Sequence, residues 1–290
     1  MVVPKAIKRM LKKYDDSNWK SNLLSEMNVN FYNPPASNTD KVNASTTYTE
    51  LVRTERKFAI SAINKSYALA WLSQNLIPDQ NYPIGNIYSV YFDTHTLASY
   101  HQSLDGALEK QKVRIRWYPD PLTGQCTKIY VELKSRVGFE TIKRRRQIEA
   151  PIISLDTYDI MNTIRQLDIQ ELLLGSGFNF LGPLYPTILI RYNRRRFVSL
   201  DYSASISFDS NISSWVLNPK FSTLKGWVEL KTSVLELKGS NMELPLGLKN
   251  LHNLGTYWTS FSKYALCLES HFDRVGSLGW LEPNFPSKGL

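Results

Sequence analysis

Segment after segment of this 290-residue chain alternates charged with apolar or aromatic residues. The pattern runs through LVRTERKFAI (51–60), NIYSVYFDT (86–94), EKQKVRIRWY (109–118), KIYVELKSR (128–136), ETIKRRRQIE (140–149), TILIRYNRRRF (187–197) and GWVELKT (226–232). A period of two sends successive side chains to opposite faces of a strand, so each segment reads as a β-strand with one polar and one apolar face. Turn-forming stretches such as PDPLTGQ (119–125) separate several of them, which predicts antiparallel pairing. Helical spacing interrupts the strands at roughly 61–77, 155–174 and 248–270, the last with Leu254, Tyr257, Phe261, Tyr264 and Leu268 at three- and four-residue steps. The expected class is α+β with strands dominant.

Charge narrows the partners. Lys and Arg number 35 against 26 Asp and Glu, a formal +9, which leaves nucleic acid, an anionic membrane surface or a polyphosphorylated ligand. The triplets RRR at 144–146 and 194–196 invite nucleic acid, but alternation splits each between two faces and leaves no continuous patch. Cys126 and Cys267 lack metal-ligand spacing and cannot form a disulfide framework, so a cytoplasmic setting is expected. The four histidines are scattered, and His95 reads as a turn residue.

No apolar run is long enough for a membrane helix, and the N-terminus lacks the apolar core of a signal peptide. The segment KAIKRMLKKY (5–14) has the composition of a basic amphipathic helix able to touch an acidic membrane or protein, although a solvated, frayed helix is the plainer reading. Residues 17–47 are polar and broken by prolines. The expected division is an N-terminal helix and linker over 1–47, one domain over 48–275 and a tail over 276–290.

The faces of the strands pose the functional question. Lys112, Arg114 and Arg116 share a face, as do Glu55 with Lys57, Glu132 with Lys134, and Glu229 with Lys231; Lys143 and Arg194 add further cations. On one strand a solvated polar face explains such a row. Repeated over many strands and nearly of one sign, the rows would repel one another across the ladder. Closed into a barrel with this set inward, the cations would require a long, highly charged anion on the axis. A polyphosphate chain or a nucleoside triphosphate meets that demand, with forked Arg donors on phosphate oxygens and a carboxylate or two holding a divalent ion.

The ordered series TERKF (54–58), YFDT (91–94), KVRIRWY (112–118), VELK (131–134), TIKRRR (141–146), RYNRRRF (191–197), ISFD (206–209), VELK (228–231) and SKY (262–264) resembles the VTC domain, the polyphosphate-polymerase module of the triphosphate tunnel (CYTH-like) superfamily. The resemblance covers nearly all of residues 50–270. It implies an eight-stranded antiparallel β tunnel, a closed barrel with a basic lumen, flanked by helices and shut at one end by a C-terminal helix. It further implies transfer of the terminal phosphoryl group of ATP onto inorganic polyphosphate, with Mn2+ or Mg2+ as cofactor.

Residue by residue, the resemblance assigns Lys57, Arg114, Arg116, Lys134, Lys143, Arg194 and Lys263 to catalysis and phosphate binding. Lys112, Arg196 and Lys231 complete the substrate-binding set, and Glu229 takes the metal, helped by Glu55 or Glu132. Ser205 stands where the family pattern carries an arginine, and Arg196, predicted to share a face with Arg194, is the expected replacement. Phosphoryl transfer needs placement and charge neutralisation rather than a covalent triad, which suits such a site. A triphosphate hydrolase of the same superfamily and a weakly active polyphosphate or nucleotide sensor are the alternatives.

Overall fold

The structure is a computed structural model that describes residues 54–120, 126–138, 140–152, 164, 182–221, 226–239 and 243–272. All of them fall in the second of two units into which the chain divides, Ser45–Leu290. The basic segment 5–14, the linker over 17–47 and the helical interval 155–174 apart from Ile164 lie outside the described residues.

The alternating segments form the main strands: β1 (Thr54–Ser61), β3 (Ile84–Asp93), β4 (Glu109–Trp117), β5 (Cys126–Val137), β6 (Glu140–Ile152) and β7 (Tyr185–Val198). Two more long strands follow, β8 (Ala204–Val216) and β10 (Thr232–Gly239), with short strands β2 (Ile77–Pro78), β9 (Val228–Glu229) and β11 (Tyr257–Trp258). Among the described residues the α-helices are α1 (Lys65–Asn75), α2 (Ala98–Leu104) and α3 (Lys263–Glu269). The GWVELKT segment supplies only the two residues of β9, while the fuller strand is SVLELKG within β10.

One antiparallel sheet runs β11-β1-β10-β8-β7-β3-β4-β5-β6, with β2 on β7 and β9 on β8. Eight long strands are present as expected, but the sheet does not close. Its path ends at β6, and no ladder joins β6 to β1 among the described residues. Part of the outer edge of β1 is taken instead by β11, through Phe58↔Trp258 and Ala59↔Tyr257. The sheet curls without sealing: Lys134 on β5 reaches Glu55 on β1 at 3.5 Å.

Apolar faces sort into three clusters. Outside the curl, Phe58, Ile60, Phe197, Ile206, Phe208, Leu235 and Leu237 pack against Ala68 and Leu72 of α1 and against Leu248, Leu251 and Leu254. Val113, Ile115, Trp117, Ile129, Val131 and Leu133 form a second outer cluster that includes Ile164. The third lies inside the curl, where Tyr264, Ala265, Cys267 and Leu268 of α3 meet Ile188, Ile190, Ile212 and Val234. Helix α3 thus fills part of the interior, in keeping with the expected C-terminal plug. Cys126 and Cys267 are free and buried.

The expected helix over 248–270 is mostly absent. Residues Leu246–Leu248 and Leu251–Leu254 form short 3-10 turns, Gly255 takes φ 64 to end the second, and β11 is extended before α3 begins at Lys263. Left-handed backbone at Gly255 is open to a residue without Cβ and stops helical propagation.

Candidate active site

Register carries the polar faces onto one concave surface. Across β4, β5 and β6 the same-face sets are Lys112–Lys134–Lys143 and Arg114–Glu132–Arg145, with Arg116 opposite Tyr130. Across β7, β8, β10 and β1 they are Arg196–Ser207–Glu236–Lys57 and Ser205–Lys238–Glu55, with Arg194 opposite Asp209. Antiparallel partners point to the same side of a sheet, so these rows line a single lumen. The outer positions Arg144 and Arg195 lie between them on the opposite face, as the split RRR triplets predicted.

Two carboxylates organise the arginines. Glu132 accepts from Arg114 Nε at 2.7 Å and lies 2.7 Å from its Nη2, 3.8 Å from Arg116 Nη1 and 3.4 Å from Arg145 Nε. Asp209, wholly buried, takes both Nε and Nη2 of Arg194 at 2.6 and 2.7 Å, and Lys263 Nζ at 2.7 Å. Burial works to raise both acids, yet the facing cations prevail and hold each carboxyl below its ordinary value. Each is a fixed anion that holds guanidiniums in place on the lumen wall.

The floor comes from α3. Ser262 caps it, accepting from Ala265 N at 3.3 Å and from Lys112 Nζ at 2.9 Å. Tyr264 donates to the buried carboxylate of Asp93, which also receives the backbone N–H groups of Thr94, Ser99 and Tyr100. Its ring stacks on Tyr91 with centroids 5.2 Å apart, and Tyr91 OH accepts from Arg114 Nη1 at 3.0 Å. YFDT and SKY are therefore two halves of one joint: Asp93 ends β3 and clamps the helix that delivers Lys263.

At the other part of the lumen lysines dominate. Lys57 Nζ lies 3.1 Å from Glu55 and donates to Phe261 O at 3.3 Å, while Lys238 Nζ lies 2.8 Å from Glu236. Glu236 is also 3.6 Å from Arg194 Nη2. Burial and mutual repulsion would raise Glu55 and Glu236, but the lysines hold both below the ordinary range. Burial, then repulsion from Lys57 and Lys134, pushes Lys112 down to about 7. Lys134 is lowered to about 8, chiefly by burial, and Lys143 is lowered by burial and by Lys238. The lowering of Lys112 and Lys134 marks uncompensated positive potential here, the state an incoming polyanion relieves.

Of the predicted site residues, Lys57, Lys112, Arg114, Arg116, Lys134, Lys143, Arg194 and Lys263 are brought together on this surface, with Glu55 and Glu132. Glu229 and Lys231 are not. Both are exposed, and Glu229 lies on β9 opposite Ser213, whose other neighbour Arg191 belongs to the outward set. The lumen acid and lysine are Glu236 and Lys238, from the later LELK stretch at 235–238, which the register of β10 with β1 and β8 turns inward. Arg196 shares the face of Arg194 but donates to Tyr82 O at 3.0 Å. The residue opposite Ser205 is Lys238, a cation placed beside the missing arginine. Among the described residues no group of three or more His, Cys, Asp and Glu comes together that could hold a metal ion.

The model of the VTC domain matches residues 20–272. No curated protein matches the chain. Among the solved structures that resemble it distantly are two bacterial proteins. One is a protein from Bacillus halodurans provisionally described as an adenylate cyclase, with 12% identity and TM-score 0.39 over 64% of this chain and 80% of that one. The other, from Vibrio parahaemolyticus and described in the same terms, has 13% identity and TM-score 0.30 over 70% of this chain and 83% of that one. Among the described residues no helix is long and apolar enough to cross a membrane.

Proposed function

Because the chain belongs to the VTC domain family, we propose that it transfers the terminal phosphoryl group of ATP onto a growing inorganic polyphosphate chain and releases ADP. The observation that carries this reading is the single concave surface on which Arg114, Arg116, Arg194, Lys112, Lys134 and Lys263 converge around a few fixed carboxylates. That surface suits a linear run of phosphates: forked guanidiniums grip oxygens and ammonium groups neutralise charge on the moving group. A terminal phosphate oxygen of the acceptor attacks the γ-phosphorus while the bond to the β–γ bridging oxygen breaks. The attacking oxygen is already ionised, so no strong base is required.

Glu132 and Asp209 are saturated by arginine and lysine and serve as positioning anions. Glu55 and Glu236 lie close enough to repel each other, and they are the residues that would hold Mn2+ or Mg2+. Hard ions of this kind are held by one or two carboxylates with phosphate oxygens and water completing the shell, which fits two acids rather than a full protein cage. When bound, such an ion would neutralise part of the negative charge on the phosphate oxygens.

Incubation of the purified protein with ATP and Mn2+ or Mg2+, with products separated on a gel, tests the reading. A ladder of long chains is expected, and its loss in the Arg114→Ala, Arg116→Ala double variant. Free phosphate without chains would replace this reading with a triphosphate hydrolase, and tight ATP binding without turnover with a nucleotide or polyphosphate sensor.

A further inference from the structure

At the Arg116 end of the cation rows, the lumen face of β4 to β6 changes character. Tyr130 sits opposite Arg116, two residues along β5 from Glu132, and Tyr118 follows Arg116 by two residues just past the end of β4. Their ring centroids are 5.7 Å apart in an edge-to-face arrangement. Arg145 lays its guanidinium over Tyr130 with its central carbon 3.6 Å from the ring centroid, and 5.9 Å from that of Tyr118. Its Nε is turned to Glu132 at 3.4 Å, and its side chain is 42% exposed. Both tyrosines are partly exposed.

Nothing in phosphate chemistry calls for these groups. Inorganic polyphosphate has no π face, and aromatic rings at the end of a cation row gain nothing from it. A nucleobase does: aromatic and guanidinium planes stack on any base. Same-face residues along a strand are about 6.8 Å apart, so Tyr130 stands one step beyond the Arg114–Glu132–Arg145 row, about the reach of a sugar from a phosphate bound in that row. Glu132 holds Arg145 through its Nε, and one face of the guanidinium rests on Tyr130.

We propose that Tyr118, Tyr130 and Arg145 form a nucleobase subsite that distinguishes nucleoside triphosphates from inorganic triphosphate. The subsite rests on the reading of the lumen as a triphosphate site, and it orients the donor with its base at this platform and its phosphates along the cation rows.

Calorimetric titration of the full chain with ATP and with inorganic tripolyphosphate tests it. Tyr118→Leu and Tyr130→Leu should each weaken ATP about tenfold while changing tripolyphosphate less than twofold, and Tyr130→Phe should keep the parental affinity for both. Thermal melting of each variant reports its folding, and the two ligands serve as internal controls for one another. Equal loss for both ligands, or no change for ATP, overturns the subsite. Wild-type binding of tripolyphosphate without ATP overturns it too, leaving the phosphate site intact. Binding of neither ligand overturns the triphosphate reading itself and the subsite with it.

Discussion

Binding of a triphosphate to this lumen should take up protons. In the ligand-free protein burial and neighbouring cations lower Lys112 to about 7 and Lys134 to about 8. A bound polyanion favours the charged form of both and returns them above 10, their ordinary range. Lys112, which faces Lys57, Lys110, Lys134 and Arg114, is then about three-quarters deprotonated at pH 7.5 before binding and Lys134 about one-quarter, so close to one proton is absorbed per ligand. The sign is fixed: both free-state pKa values lie below the bound-state ones, so affinity is full at lower pH and is lost as pH rises through 7 and 8. Between pH 7 and pH 8 the factors are about 5.5 for Lys112 and 1.8 for Lys134, a tenfold weakening in all. Titration calorimetry with tripolyphosphate in two buffers of different ionisation enthalpy measures the uptake. Lys112→Met should cut it to about a quarter of a proton. Proton release on binding, or uptake unchanged in that variant, would refute the reasoning.

Other expectations concern the frame and the metal. Tyr264→Phe leaves the buried Asp93 carboxylate short of a donor and should cost about 1–3 kcal/mol in urea unfolding. Gly247→Ala would drive a Cβ into the carbonyl oxygen of Asn75 and should cost about 1–3 kcal/mol, read as a lower melting temperature. With tripolyphosphate present, Mn2+ affinity followed by electron paramagnetic resonance should fall several-fold in Glu236→Gln and stay unchanged in exposed Glu229→Gln.

Strand alternation made the sheet legible because burial on one face enforces it locally. β4 begins at Glu109 and β7 ends at Val198, each within a residue or two of the alternating segment. Closure was not legible, since whether β6 pairs with β1 depends on the curl of the sheet and on β11 occupying an edge, neither of which a single strand encodes. The helix expected over 248–270 failed because period-3.6 apolar spacing also fits two 3-10 turns and a short strand that cover one surface. In the site, Arg114 and Arg116 were readable from alternation, whereas Glu236 was hidden by an earlier VELK only a few residues upstream. The cation beside Ser205 was equally hidden, because Lys238 is opposite it only through the β8–β10 register.

The gap between β1 and β6 gives this lumen a wall of two kinds. Most of its circumference is peptide ladder, indifferent to ionic strength. Across the gap, attraction comes from charged side chains such as Lys134 and Glu55, whose pull weakens as the Debye length shortens with added salt. The bore is thus set partly by the solution, and polyanion and salt compete not only for the cations but for the width of the channel that presents them.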